Sequence, residues 1–125
     1  MMDADHAAFF IQAPEAFPIY ERIRETIYSA LEGVSLKVQK TQISFSNRHV
    51  FAVVSLPQRR TMGRPHTGVI LTLGLGYRLE DPRVMAATEP YPRRWTHHVL
   101  IHSVGDVDAQ IKEWLSEAYH FANAK

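Results

Sequence analysis

Three histidines lie close together near the end of the chain, at His97, His98 and His102. Imidazole can bind a metal ion or transfer protons near neutral pH. Residues 95–104 are rich in β-branched and aromatic side chains, which predicts a strand. In a strand four residues span about 13 Å and neighbouring side chains point to opposite faces, so these three rings cannot all lie about 2.1 Å from one zinc ion. The spacing argues against a metal site and predicts that His97 and His98 face opposite ways.

Positive charge is concentrated in one block of the sequence. Residues 33–79 contain seven Lys and Arg and no acid, whereas residues 1–32 hold six acids against two bases and the remainder holds seven against five. The net charge of +1 therefore conceals an uneven distribution. Loops of a sheet that face acidic helices in the same molecule would explain such a block, and a surface that faces an anionic ligand is the alternative.

Basic and aromatic residues at the ends of the predicted strands suggest a ligand site. Lys and Arg would hold an anion and a tryptophan would offer a flat apolar wall. We predict a groove between an open sheet face and the connection 76–95, in a non-catalytic domain that binds a small anionic or aromatic ligand. The predicted lining residues are Lys40, Arg48, Arg94, Trp95 and His98.

Other functions stay open on the sequence alone. Basic residues near Trp95, Tyr77 and Tyr91 resemble a nucleic-acid surface, but the pI near 8.1 is below the usual range for one. A protein partner in the predicted groove and a homodimer also stay open. We predict no cofactor, because Gly74 and Gly76 lack the third glycine and the following helix of a dinucleotide fingerprint.

An enzyme is the competing interpretation. It would use His97 or His98 as acid or base with Lys40 as an electrostatic partner. Proton transfer needs an oriented second group within hydrogen-bond reach. The sequence shows no catalytic motif, so no catalytic residue is assigned.

A helix is predicted at each end of the domain. Tyr20, Ile23 and Ile27 recur at helical spacing after Pro18, and Gly33 would end that helix. The last helix should begin near Asp106 and run to about residue 122. Residues 1–13 would form a docked arm or a short apolar turn.

The clearest local signal is a β-hairpin over residues 41–57, with its turn at 46–49. Apolar residues fall on even positions up to Val38 but on odd positions from Ile43, which predicts a bulge or a turn at 39–41. Lys40 would lie at that irregularity and join Arg48 beside the hairpin.

Two further strands and two loops complete the pattern. We predict a loop at 58–66, a strand at 67–75, a long connection with one helical turn at 84–87 begun by Asp81, and the strand at 95–104. This order predicts an α+β domain: a two-layer, antiparallel meander of four to five strands with both helices on one face. The open face would carry Lys40, Gln42, Ser44, Thr72 and one set of the histidines.

Length and composition fit one domain over residues 1–125 with a single core. The chain has no cysteine, which excludes disulfides and thiolate chemistry and suits a reducing compartment. The acidic start is unlike a signal peptide, and no run reaches the length of a membrane span. We therefore expect a cytoplasmic protein without a membrane partner.

Several segments together resemble the family of bacterial domains of unknown function called DUF5655, over about residues 9–119. The resemblance rests on the pattern and spacing of the run 40–45, the pair Phe51-Ala52, the run 94–98, and the ending from Asp108 to Tyr119. It implies a single α+β domain of bacterial origin. It implies no activity, because the family has none established.

Overall fold

The structure, a computed structural model, describes residues 3–57 and 68–124. Three helices and six strands follow one another as α1 (Ala4–Phe9), α2 (Phe17–Ala30), β1 (Ser35–Val38), β2 (Ile43–Ser46), β3 (Val50–Ser55), β4 (Val69–Leu75), β5 (Val84–Tyr91), β6 (Arg94–Ile101) and α3 (Ala109–Asn123). Short 3-10 helices at Pro14–Ala16 and Val104–Asp106 precede α2 and α3. The predicted loop 58–66 lies outside the described residues. Within the described ranges, no helix is long and apolar enough to span a membrane.

The helices form where apolar residues recur at helical spacing. In α2, Tyr20, Ile23 and Ile27 are buried on one side. The cap of α3 is Asp108, whose carboxylate accepts a hydrogen bond from the Ile111 N–H at 3.1 Å. The predicted start at Asp106 is therefore two residues early.

The sheet has six antiparallel strands in the order β1-β2-β3-β4-β6-β5. The α+β class is confirmed, but the predicted count of four to five strands is too low. The predicted meander order is also wrong at one edge of the sheet. There β4 pairs with β6, and β5 is the edge strand beside β6.

The missing strand is β5, where the sequence predicted a helical turn. Asp81 does cap a turn: its carboxylate accepts from the Arg83 N–H at 2.9 Å and its carbonyl from the Val84 N–H at 3.0 Å. The chain then continues as a strand instead of a helix. As an edge strand, β5 can contain Pro90, which has no N–H for a second neighbour.

The predicted hairpin is confirmed as β2 and β3, and the predicted irregularity before it is a turn. The Gln39 N–H donates to the Gln42 carbonyl at 2.8 Å and so joins β1 to β2. At the β2–β3 turn, the Asn47 side chain donates to the carbonyls of Glu32 and Gly33 at 3.1 and 2.9 Å. This contact ties the hairpin to the turn that follows α2, where Gly33 has the left-handed φ of 64°.

One face of the sheet is covered by the helices. The rings of Tyr20 and Phe45 lie 6.2 Å apart, and those of Phe51 and Tyr119 lie 5.3 Å apart. These contacts place α2 and α3 against the same side of the sheet. The buried core on this side includes the alternate β4 residues Val69, Leu71, Leu73 and Leu75.

The side of the sheet opposite the helices is the open face. One cross-strand row on it runs from Lys37 through Ser44, Val53, Thr72 and His98 to Ala86. The expected positions of Ser44, Thr72 and one histidine on this face are therefore confirmed. Side chains in such a row lie about 5 Å from their cross-strand neighbours, so Thr72 and His98 are in direct reach of each other.

Candidate functional site

The neighbouring histidines of β6 occupy opposite faces, as the strand pattern predicts. His97 faces the helices, is fully buried, and accepts a hydrogen bond at Nε2 from the Leu79 N–H at 2.9 Å. Burial lowers the pKa of His97, and the backbone of Leu73, which favours the charged ring, opposes this effect. His97 is a neutral core residue with a backbone partner.

His98 lies on the open face and is half-buried. Its Nδ1 is 2.9 Å from the hydroxyl oxygen of Thr72 on the neighbouring strand β4. This bond fixes the plane of the imidazole and directs Nε2 away from Thr72. For the described residues, the Thr72 bond is the one hydrogen bond of the His98 ring.

A groove of about 450 Å³ lies around this pair on the open face. Its size is within the range typical of small-molecule sites. Its lining residues come from four strands, β3 to β6, and from the turn before β2; they are Gln42, Val53, Ser55, Ile70, Thr72, Met85, Ala86 and His98. Of these residues, only His98 can carry a charge. The groove is therefore a neutral, mixed surface with a few fixed polar groups.

The predicted site residues are not all brought together. Lys40 is exposed in the β1–β2 turn, two residues before Gln42 of the groove, but it does not line the cavity. Arg48 is exposed in the β2–β3 turn, at the opposite end of β2. The four residues of β2 separate these turns by about 13 Å, so Lys40 does not join Arg48.

Arg94 and Trp95 also lie outside the groove. Arg94 is exposed beside the β5–β6 turn, where it pairs with Tyr91. Trp95 pairs with Leu75 and shares the parity of the buried His97, while the Arg78 guanidinium lies 5.9 Å from its ring centroid. Of the five predicted residues, His98 alone lines the groove.

Sequence reasoning missed the apolar walls of the groove. Val53 and Ile70 have the open-face parity of their strands, so alternation was the signal that could have found them. Met85 and Ala86 carried no such signal, because β5 was not predicted. They do belong to the connection 76–95, which was expected to border the groove.

A second polar cluster ties the N-terminal arm to the core. His6 is buried, with its Nδ1 2.7 Å from the Asp3 carboxylate and its Nε2 2.7 Å from the Tyr20 hydroxyl. Burial raises the pKa of Tyr20 to about 12, and hydrogen bonding from the His6 N–H lowers the pKa of Asp3. Because Tyr20 is fully buried, this cluster anchors α1 and does not form an accessible site.

Two other cavities border α3. One, of about 470 Å³, lies beside Tyr77, whose hydroxyl donates to the Glu117 carboxylate at 2.6 Å. That bond raises the pKa of Tyr77 to about 12. The other, of about 460 Å³, lies between α2 and α3 and has charged walls that include Arg22, Glu25 and Lys112. In the described part of the chain, no three ligating side chains converge on a metal position.

These features define an α+β protein with one antiparallel sheet and a neutral groove on the open face. The chain belongs to the family described as a domain of unknown function, DUF5655, whose model matches residues 7–122. The resemblance noted from the sequence is thereby confirmed. No curated protein and no solved structure matches the chain.

Proposed function

We propose that this protein is a non-catalytic, one-domain binding protein that holds a small molecule in the groove of the open face. The observation that carries the proposal is the Thr72–His98 pair, a fixed polar contact at 2.9 Å inside a partly apolar cavity. Sites for small molecules combine apolar walls with a few placed polar groups in this way. The walls belong to strands, which hold their side chains more rigidly than loops do.

The lining favours an aromatic or otherwise apolar ligand over a strongly anionic one. Val53, Ile70 and Met85 offer apolar contact area, and no Lys or Arg is among the lining residues that the structure describes. An anion would lose water without a cationic partner, which is costly. Lys40 lies two residues before the lining residue Gln42, but an exposed cation contributes less than about 1 kcal/mol to an ion pair.

The other functions have less support. Nucleic-acid binding would need cations and aromatic rings on one surface, whereas Lys40 and Arg48 lie at opposite ends of β2 and Trp95 shares the face of the helices. For acid–base catalysis, His98 is still a candidate acid or base, because the Thr72 hydroxyl is an oriented partner within hydrogen-bond reach. His97 is no longer a candidate, because it is buried and bonded to a backbone N–H.

Ligand binding is tested by a small-molecule fragment screen followed by amide NMR spectra. Ligands of the groove should shift the amide signals of Ile70 and Thr72 in a saturable way. Ala86→Phe should fill the groove and abolish these shifts. The matched control is Thr88→Phe, on the same strand and outside the lining residues. Ligands that still shift these signals in Ala86→Phe would contradict the proposal. Ligands that shift only signals outside the groove in both variants would contradict it as well.

A further inference from the structure

The hydroxyl of Thr72 determines which polar group the groove offers to a ligand. Its oxygen and Nδ1 of His98 are 2.9 Å apart, so one of the two groups donates a proton to the other. A threonine hydroxyl has one proton to donate, and a neutral imidazole has one N–H and one acceptor nitrogen. The two arrangements leave different groups facing the groove.

In the first arrangement the Thr72 O–H donates to Nδ1, and the proton of His98 is on Nε2. In the second, Nδ1–H donates to the Thr72 oxygen, and the hydroxyl proton needs another acceptor. No other hydrogen bond of the Thr72 hydroxyl is formed with the described residues. The second arrangement therefore leaves two groups without a partner among the described residues, this proton and the acceptor Nε2, and each costs about 1–3 kcal/mol where water is excluded. The first arrangement leaves only Nε2–H, and a ligand can satisfy it.

We infer that His98 presents Nε2–H as a hydrogen-bond donor, and that the groove takes a neutral, mostly apolar compound with a carbonyl oxygen that accepts this bond. The inference rests on the proposed function and names the class of ligand. A carbonyl oxygen supplies the acceptor, and Val53, Ile70 and Met85 supply contact for the apolar part. A carboxylate fits less well, because the described lining residues carry no permanent positive charge and the neighbouring Lys37 and Lys40 are exposed.

The tautomer can be measured without any ligand. Nitrogen-15 NMR of the side chain, at a pH where the ring is neutral, distinguishes Nε2–H from Nδ1–H. We expect Nε2–H for His98, and a mixture of tautomers in Thr72→Val, which removes the hydroxyl but keeps the shape and the strand preference. Thr88→Val is the matched control and should leave the His98 signal unchanged. A predominant Nδ1–H form in the unchanged protein would overturn the donor assignment.

The ligand class is tested with five probes that share one phenyl ring and a short chain: benzylacetone, hydrocinnamide, hydrocinnamate, phenylpropylamine and butylbenzene. Binding is measured by titration, with the Ile70 and Thr72 amide signals reporting the site. Benzylacetone should bind about three- to tenfold more tightly than butylbenzene, the worth of one net hydrogen bond. Thr72→Val should reduce that ratio, and hydrocinnamate should bind more weakly than benzylacetone.

The outcomes separate this inference from the proposed function. Tighter binding of hydrocinnamate or phenylpropylamine in the groove would overturn the ligand class and support a binding groove. Equal binding of butylbenzene and benzylacetone would overturn the role of Nε2–H alone. If no probe shifts the Ile70 and Thr72 signals, the ligand class is overturned and the proposed function is contradicted, whatever the tautomer of His98.

Discussion

Mild acidification should destabilise this protein through His97. The ring is fully buried, its Nε2 accepts a hydrogen bond from the Leu79 N–H, and burial lowers its pKa. The unfolded chain takes up a proton on this residue near pH 6.5, whereas the folded protein takes it up only at a lower pH. The unfolded state therefore binds more protons below that pH, and the free energy of unfolding falls as the pH falls.

The size of the effect follows from one proton. A single group that titrates only in the unfolded state gives a slope of at most about 1.4 kcal/mol per pH unit below its unfolded pKa. From about pH 8 to about pH 5.5, the free energy of unfolding should fall by up to about 1.4 kcal/mol. Asp3, Asp81 and Asp108 do not affect this window, because their lowered pKa values remove stability only below about pH 4.

Urea unfolding at several pH values measures this effect. His97→Gln keeps an acceptor near the Leu79 N–H but cannot titrate, so its pH slope should be smaller than that of the unchanged protein. His102→Gln alters an exposed histidine and serves as the control. The comparison uses slopes, so a general loss of stability in His97→Gln does not interfere. Equal slopes in His97→Gln and the unchanged protein would refute the reasoning.

Two further substitutions test the fold. Tyr20→Phe removes the hydroxyl partner of His6 and should lower the free energy of unfolding by about 1–3 kcal/mol. The control is Tyr28→Phe, which alters a side chain that is 45% exposed and should change the free energy of unfolding little. Equal effects of the two substitutions would contradict the role of the buried bond. Gly68→Ala should cost at least about 3 kcal/mol, because φ is 94° and an added Cβ would lie 2.0 Å from a β6 carbonyl oxygen. Gly74→Ala is the control, because a Cβ added there would lie 4.0 Å from the nearest atom. Thermal and urea unfolding of both variants measure the loss of stability. A Gly68→Ala variant as stable as the unchanged protein would refute the prediction.

Local chemistry explains which elements the sequence predicted correctly. The change of parity between Val38 and Ile43 required an interruption, and the structure has a turn there. The turn residues at 46–49 marked the hairpin. By contrast, β5 contains Pro90 and Glu89 and alternates weakly, because an edge strand needs neither a second hydrogen-bonding neighbour nor two buried faces. Its position outside β6 depends on long-range pairing, which local patterns do not specify.

The same distinction explains the outcome for the candidate site. Alternation within a strand fixes the face of a side chain, so Thr72 and His98 could be placed together on the open face. Charge along the chain does not fix which turns meet, and Lys40 and Arg48 are separated by the whole of β2. Within the described part of the basic block, Lys40 and Arg48 therefore form no cluster.

The adjacent histidines of β6 show how one position along a strand changes the chemistry available to the same side chain. The His97 ring lies in the core among apolar residues, and its Nε2 accepts a hydrogen bond from a backbone N–H. The neutral form of the ring is therefore the stable one. At His98 the partner is a hydroxyl that can donate or accept, and the side chain lines a cavity. Of the two rings, only that of His98 lines the groove. The binding hypothesis therefore depends on the Thr72–His98 contact, whereas the loss of the His97 bond would first reduce stability.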